Sequence, residues 1–241
     1  MKPSRVVGTK YGLVEGVRLV DDGDCQIDAY LGIPFAKPPI GALRFKKPEP
    51  PDAWEGIRKT VKFGPRAPQK EFIWSRWMAA VKTDEDCLYL NVFSPVPTAA
   101  AAENQFSVAC LLLVIAITSN EKLNEVLHQN GLAVMVFVHG GGFLIDSASK
   151  YGDIGICNNL CRHDVVVVTV QYRLGLLGFF CTGDEACPGN NGLWDQAMAL
   201  KWVQDNISAF NGDPGRITVF GQSAGGACVD LLSLSPVTRG Y

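Results

Sequence analysis

Residues Arg216 to Gly226 read Arg-Ile-Thr-Val-Phe-Gly-Gln-Ser-Ala-Gly-Gly and admit one local fold: a strand, a tight turn and a helix. Ile217 to Phe220 are β-branched or aromatic, as a strand prefers. Ala227 to Leu234 suits a helix. Between them, Gly221-Gln222-Ser223-Ala224-Gly225 fits G-x-S-x-G, the nucleophile elbow. A turn this tight forces the serine into a strained backbone conformation, in which side chains two residues to either side would collide. Gly221 and Gly225 remove those side chains. The Ser223 hydroxyl is thereby lifted clear at a helix N-terminus, which favours developing negative charge. The five-residue pattern alone arises by chance in roughly one chain in ten of this length, so its meaning rests on what surrounds it.

The remaining sequence reads as alternating strands and helices. Val6 to Val20 suggests a short hairpin, and Ile27 to Leu31 a strand. Gly32 to Gly41 is read as irregular, because its prolines remove donors and fix φ, and Pro48, Pro50 and Pro51 extend that run to Trp54. Asp86 to Phe93 returns to strand character. Leu132 to Val138 and Val165 to Val170 are continuous apolar runs, as expected of strands buried on both faces. Asn190 to Gln196 opens a helix that places Leu193, Ala197, Leu200 and Val203 on one face. Asn211 to Gly215 is a turn. The expected fold class is therefore α/β, with a mostly parallel sheet covered by helices. No internal repeat or second domain is visible.

Composition narrows the function. Hydrophobic residues make up 47% and charged residues 19% of 241, a globular balance with length enough for one large core. The net charge of −2, with no Lys/Arg run, argues against nucleic acid or an anionic membrane as partner. Phe106 to Ile117 is almost wholly apolar but falls short of the roughly twenty residues of a membrane span, so a buried helix or strand is expected. No signal peptide is visible after Met1, which points to the cytoplasm, or to secretion if the N-terminus is incomplete. The eight cysteines lack the spacing of a disulfide framework. Cys157-x3-Cys161-x-His163 has metal-ligating residue types but no second cysteine pair, so no metal is expected.

The first long apolar run ends at His139-Gly140-Gly141-Gly142-Phe143, where backbone N–H groups are unshielded by side chains. Acyl transfer needs an attacking oxygen, and donors placed where the carbonyl oxygen becomes an oxyanion. An HGGG run and an elbow serine, each after a strand, supply both.

With these motifs the sequence resembles the type-B carboxylesterases, the α/β-hydrolases that include carboxylesterases and cholinesterases. The resemblance is carried by Tyr30 to Phe45, Glu85 to Val92, Val134 to Phe143, Gln171 to Gly175, and most strongly Asn190 to Ser235. It implies an α/β-hydrolase fold and two-step hydrolysis of a small-molecule carboxylic ester. Ser223 would be the acyl-forming nucleophile, and Gly141, Gly142 and Ala224 would give backbone N–H groups to the oxyanion hole. No metal or organic cofactor is implied.

Several positions depart from the pattern. The family order places the acid and the histidine after the serine. Here eighteen residues follow Ser223, with Asp230 as their one acid and no histidine. His128, His139 and His163 all precede the serine. The expectation is a single partial α/β-hydrolase domain over 1–241, truncated after the elbow helix and carrying an atypical insertion at about 99–131. Such a chain would be inactive as written, and Ile217 to Phe220 would lie at a sheet edge. Ala67 stands where the family commonly has the cysteine that pairs with the one matching Cys87. Asn206-Ile207-Ser208 is a glycosylation sequon, relevant if the chain is secreted. Gln222 replaces the Glu of cholinesterases, and Trp77 is a candidate cation–π face that packing of a loop explains better. A general carboxylesterase is expected before a cholinesterase. The alternatives are a non-catalytic cholinesterase-like binding or adhesion protein, and an inactive fragment.

Overall fold

A computed structural model describes residues 2–23, 25–70, 82–96 and 131–239. Trp77, His128 and the insertion as far as residue 130 lie outside them. The strands are β1 (Lys2–Thr9), β2 (Gly12–Asp22), β3 (Cys25–Pro34), β4 (Ile57–Lys59), β5 (Tyr89–Pro95), β6 (Leu132–Val138), β7 (Val165–Val170) and β8 (Gly212–Gly221). The helices are α1 (Ile154–Asn159), α2 (Gly175–Phe179), α3 (Asn191–Asn206) and α4 (Ala224–Leu234).

The strands form one sheet in the order β1-β2-β3-β5-β7-β6-β8, with β4 beside β2. β1, β3, β7, β6 and β8 point one way, and β2, β4 and β5 the other. The parallel part is β7-β6-β8. The two continuous apolar runs are its β6 and β7, because a parallel strand with cover on both faces favours apolar residues at successive positions.

Alternation divides the core. Val134, Val136 and Val138 of β6 and Val166, Val168 and Val170 of β7 meet Ala197, Leu200 and Val203 of α3 and Cys228 and Leu232 of α4 on one face. The opposite face joins Val17, Ile27, Ala29, Phe93 and Val167 to Cys157 and Cys161, on α1 and the 3-10 turn after it. The amphipathic helix predicted from Leu193 onward is α3, seated on the first face.

Three readings need correction. The hairpin predicted as short uses all of β1 and Gly12 to Arg18 of β2. Gly32 to Pro34, read as irregular, are the last residues of β3, whose pairing with β5 reaches Pro34. The turn predicted at Asn211 to Gly215 lies mostly inside β8, as an irregularity: Leu132 pairs with Gly212, but Val134 next pairs with Ile217. Pairing has therefore begun before the extra residues, so they bulge from the strand without ending it. Asp213 folds them back, accepting from Gly215 N–H and from Arg216 Nε at 2.8 Å each.

β8 lies at the sheet edge among the described residues, with β6 as its partner. Ile217 and Val219 are half-buried on the first face, and Thr218 is exposed. Among the described residues no helix is long and apolar enough to cross a membrane.

Candidate active site

From β6 the chain moves to β7 on one side, and from β7 to β8 on the other. The order thus reverses about β6, and in open α/β sheets the crevice at such a switch point, beyond the carboxyl ends of the strands, is where ligands bind. The segments leaving the carboxyl ends of β6 and β8 are the His139–Phe143 run and the elbow.

The elbow has the strain its sequence predicted. Ser223 sits at φ 55° and ψ −123° as the N-cap of α4, with its side chain making no capping bond. Such a conformation is rare for a residue with a side chain. The flanking glycines are required by contact. A Cβ on Gly225 would lie 2.1 Å from the Val138 carbonyl oxygen of β6, and one on Gly221 would lie 2.4 Å from the Gly225 carbonyl carbon. Ser223 is exposed. Among the described residues its hydroxyl has no partner.

The glycine run abuts this turn. A Cβ on Gly140 would lie 2.5 Å from the Gln222 carbonyl oxygen and 3.1 Å from Ser223 Cβ. The run then closes on itself: Leu144 and Ile145 N–H both donate to the Gly141 carbonyl at 3.1 Å. Beneath it, Tyr172 OH donates to the His139 carbonyl at 2.7 Å, and Gly175 N–H to that of Phe143 at 2.7 Å. This floor is anchored by Arg173, whose guanidinium forks onto buried Asp195 at 2.8 and 2.6 Å. Among the described residues the N–H groups of Gly141, Gly142 and Ala224 donate to no protein acceptor. For Ala224 this follows from its place in the first turn of α4, whose N–H groups have no intrahelical partner and carry the positive end of the helix dipole.

The described histidines are not bases for this serine. His139 is 1% exposed and stacks on Tyr172 at 4.5 Å between ring centroids. Burial pushes its pKa down to about 4, so it is neutral at pH 7. His163 lies two residues before β7, whose first residue Val165 pairs with Ala133, so it lies at the opposite end of the parallel strands. Asp230 is exposed, seven residues along α4 from Ser223.

Cys157 and Cys161 are buried core residues while His163 is exposed. Among the described residues no group of three His, Cys, Asp or Glu is placed to hold a metal. Cys87 is a free buried thiol, its pKa raised by burial, and Ala67 shares its core. The sequon asparagine is 4% exposed with both polar atoms engaged: Asn206 Oδ1 accepts from Lys10 N–H at 2.8 Å, and Nδ2 donates to the Trp202 carbonyl at 2.7 Å. A glycan there would have to break both bonds.

Sequence reasoning missed the residues that support the glycine run: Gln69, Asp146, Tyr151 and Tyr172. Asp146, at φ 88°, left one faint signal, since Asp and Asn are enriched at positive φ. The others carry no motif, because their partners are distant in sequence. A cavity of about 170 Å³, lined by Leu193, Trp194 and Leu231 among others, lies toward the far end of α4 and does not touch Ser223.

Comparison with known proteins gives the fold and the family. Esterase cest-33 of Caenorhabditis elegans is 46% identical over 218 residues, covering 90% of this chain and 35% of that protein. Mouse neuroligin-3 is 37% identical over 255 residues, covering 99% of this chain and 30% of that protein. A solved structure of PNB esterase superposes with a TM-score of 0.76 at 38% identity, covering 98% of this chain and 42% of that one. The chain thus spans about a third of the length of these curated relatives. Its neighbours are esterases of the α/β-hydrolase fold, the fold expected from the motifs. The Carboxylesterase family matches residues 3–241, and the chain belongs to that family.

Proposed function

We propose that this chain carries the nucleophile and oxyanion donors of a serine carboxylesterase acting on a small-molecule ester. The observation that carries this reading is the strained, exposed Ser223 beside the partnerless N–H groups of Gly141, Gly142 and Ala224. Ser223 Oγ attacks the ester carbonyl, and its proton passes to a base. The carbonyl oxygen becomes an oxyanion met by the three N–H groups, and collapse, with the base returning the proton to the leaving oxygen, releases the alcohol and leaves an acyl-Ser223 ester. Water then attacks that ester, releasing the acid and restoring the serine.

The base is what the described residues do not supply, since neither His139 nor His163 meets Ser223. A serine without a base is a weak nucleophile, so turnover is expected to need a base from outside the described residues. A second reading, a non-catalytic cholinesterase-like binding protein, draws on the likeness to neuroligin-3. The intact elbow favours the enzyme, because a binding surface has no need of a serine held at positive φ.

A fluorophosphonate probe tests this on the 241-residue chain and on a form extended to the relatives' length. Labelling of the extended form that disappears in Ser223→Ala supports the esterase. Labelling that persists in Ser223→Ala, or an extended form that stays unlabelled, overturns it, and the latter result favours the binding reading.

A further inference from the structure

Asp146 stands at φ 88°, in the left-handed region where glycine would sit without strain. Its side chain must therefore supply something that glycine cannot. The carboxylate is 5% exposed and accepts three hydrogen bonds: from Ser147 N–H at 2.8 Å, Lys150 Nζ at 2.9 Å and Tyr151 OH at 3.3 Å. The backbone of the same residue is gripped from a distant segment. Asp146 N–H donates to Gln69 Oε1 at 2.8 Å, while Gln69 Nε2 donates to the Asp146 carbonyl at 2.9 Å and to that of Ala67 at 3.1 Å.

This junction lies directly behind the glycine run. A Cβ on Gly141 would be 2.0 Å from the Ile145 carbonyl oxygen and 2.8 Å from Asp146 Cβ. Tyr151 extends the junction toward the elbow. Its ring meets Phe137 edge-on at 4.7 Å, and its hydroxyl lies 3.5 Å from Gln222 Oε1, at the residue before Ser223. Burial and the neighbouring Asp146 push Tyr151 up to about 12, so at neutral pH it donates.

We propose that Asp146 is a positioning residue: held by Gln69, Lys150 and Tyr151, it fixes the Gly140–Ile145 loop against the elbow and so sets where the Gly141 and Gly142 N–H groups lie. The role matters to catalysis only if those groups are the oxyanion donors proposed above, but its test reads the loop itself and is independent of reactivity.

The test is residue-level hydrogen exchange on the 241-residue chain and its Asp146→Gly, Asp146→Asn and Gln69→Ala variants. The Leu144 and Ile145 N–H groups, bonded to Gly141, report the loop, and β7 reports the sheet. Asp146→Gly is expected to speed exchange at Leu144 and Ile145 about tenfold or more with β7 unchanged, the effect of losing side-chain hydrogen bonds locally. Asp146→Asn, which keeps an acceptor and the shape, is expected to restore most of the protection. Gln69→Ala is expected to release the Asp146 N–H by a similar factor, and serves as the second variant if Asp146→Gly also exposes β7. Unchanged exchange at Leu144 and Ile145 in both Asp146→Gly and Gln69→Ala overturns the proposal, and would mark Asp146 as a strained residue with no positioning role.

Discussion

The elbow and the glycine run end neighbouring parallel strands, and both are rich in glycine, yet they are held in opposite ways. The elbow is set by its own sequence. Gly221 and Gly225 let the backbone pass within contact of itself and of β6, and the strain falls on Ser223 between them. The glycine run is set from outside: by Tyr172 and Gly175 from below, by Gln69 from a segment 77 residues away from Asp146, and by the Asp146 junction behind. A turn dictated by local sterics is legible as a motif. A turn dictated by distant side chains has only its glycines to show.

The largest effect expected from breaking this contrast is at the floor of the glycine run. Asp195→Ala leaves the Arg173 guanidinium buried and unpaired and is expected to cost about 4 kcal/mol, read by urea unfolding. A loss within 1 kcal/mol would mean that water reaches Arg173 and that the floor is not anchored there. Next is the elbow itself. Gly225→Ala drives a methyl onto the Val138 carbonyl and is expected to cost about 3 kcal/mol, because backbone cannot rotate out of the way.

A comparable effect comes from pH, on the glycine-run side. The folded-state pKa of His139, about 4, lies below the free value of 6.5, so the unfolded chain takes up the proton first. Its contribution to stability is therefore intact above pH 6.5 and lost as pH falls toward 4, in total about 3 kcal/mol. Unfolding midpoints across that window should fall with pH in the wild type and do so less in His139→Asn. Equal slopes would remove His139 as the source. The smallest expected effect has the opposite sign. Ser223→Gly relieves the φ 55° strain and should stabilise the fold by about 1 kcal/mol while removing the nucleophile. A destabilised glycine variant would mean that Ser223 is held by contacts and not strained.

Much of the fold was legible because β7 is buried on both faces and β6 on one face with the other half-covered. Leu132–Val138 and Val165–Val170 are apolar at all positions but Thr169, and their bounds in the sequence are their bounds in the sheet. Asn211 to Gly215 misled because Gly, Asp and Pro suit a bulge as well as a turn, and only pairing of Gly212 with Leu132 decides between them. At the Asn206 sequon, three residues mark an acceptor, but the hydrogen bonds that engage its carboxamide with Lys10 and Trp202 depend on the end of β1 meeting α3.

The sequence by itself determined the strand–turn–helix at Ser223, the presence of a glycine run after β6 and the family, because each rests on residue types at short spacing. Tertiary structure alone decided that those two segments meet, that His139 is a neutral core residue and His163 lies at the wrong end of the strands, and that Asp146 and Gln69 brace the loop. These facts follow from the strand order, which reverses at β6, and strand order is fixed by contacts between residues far apart in the chain.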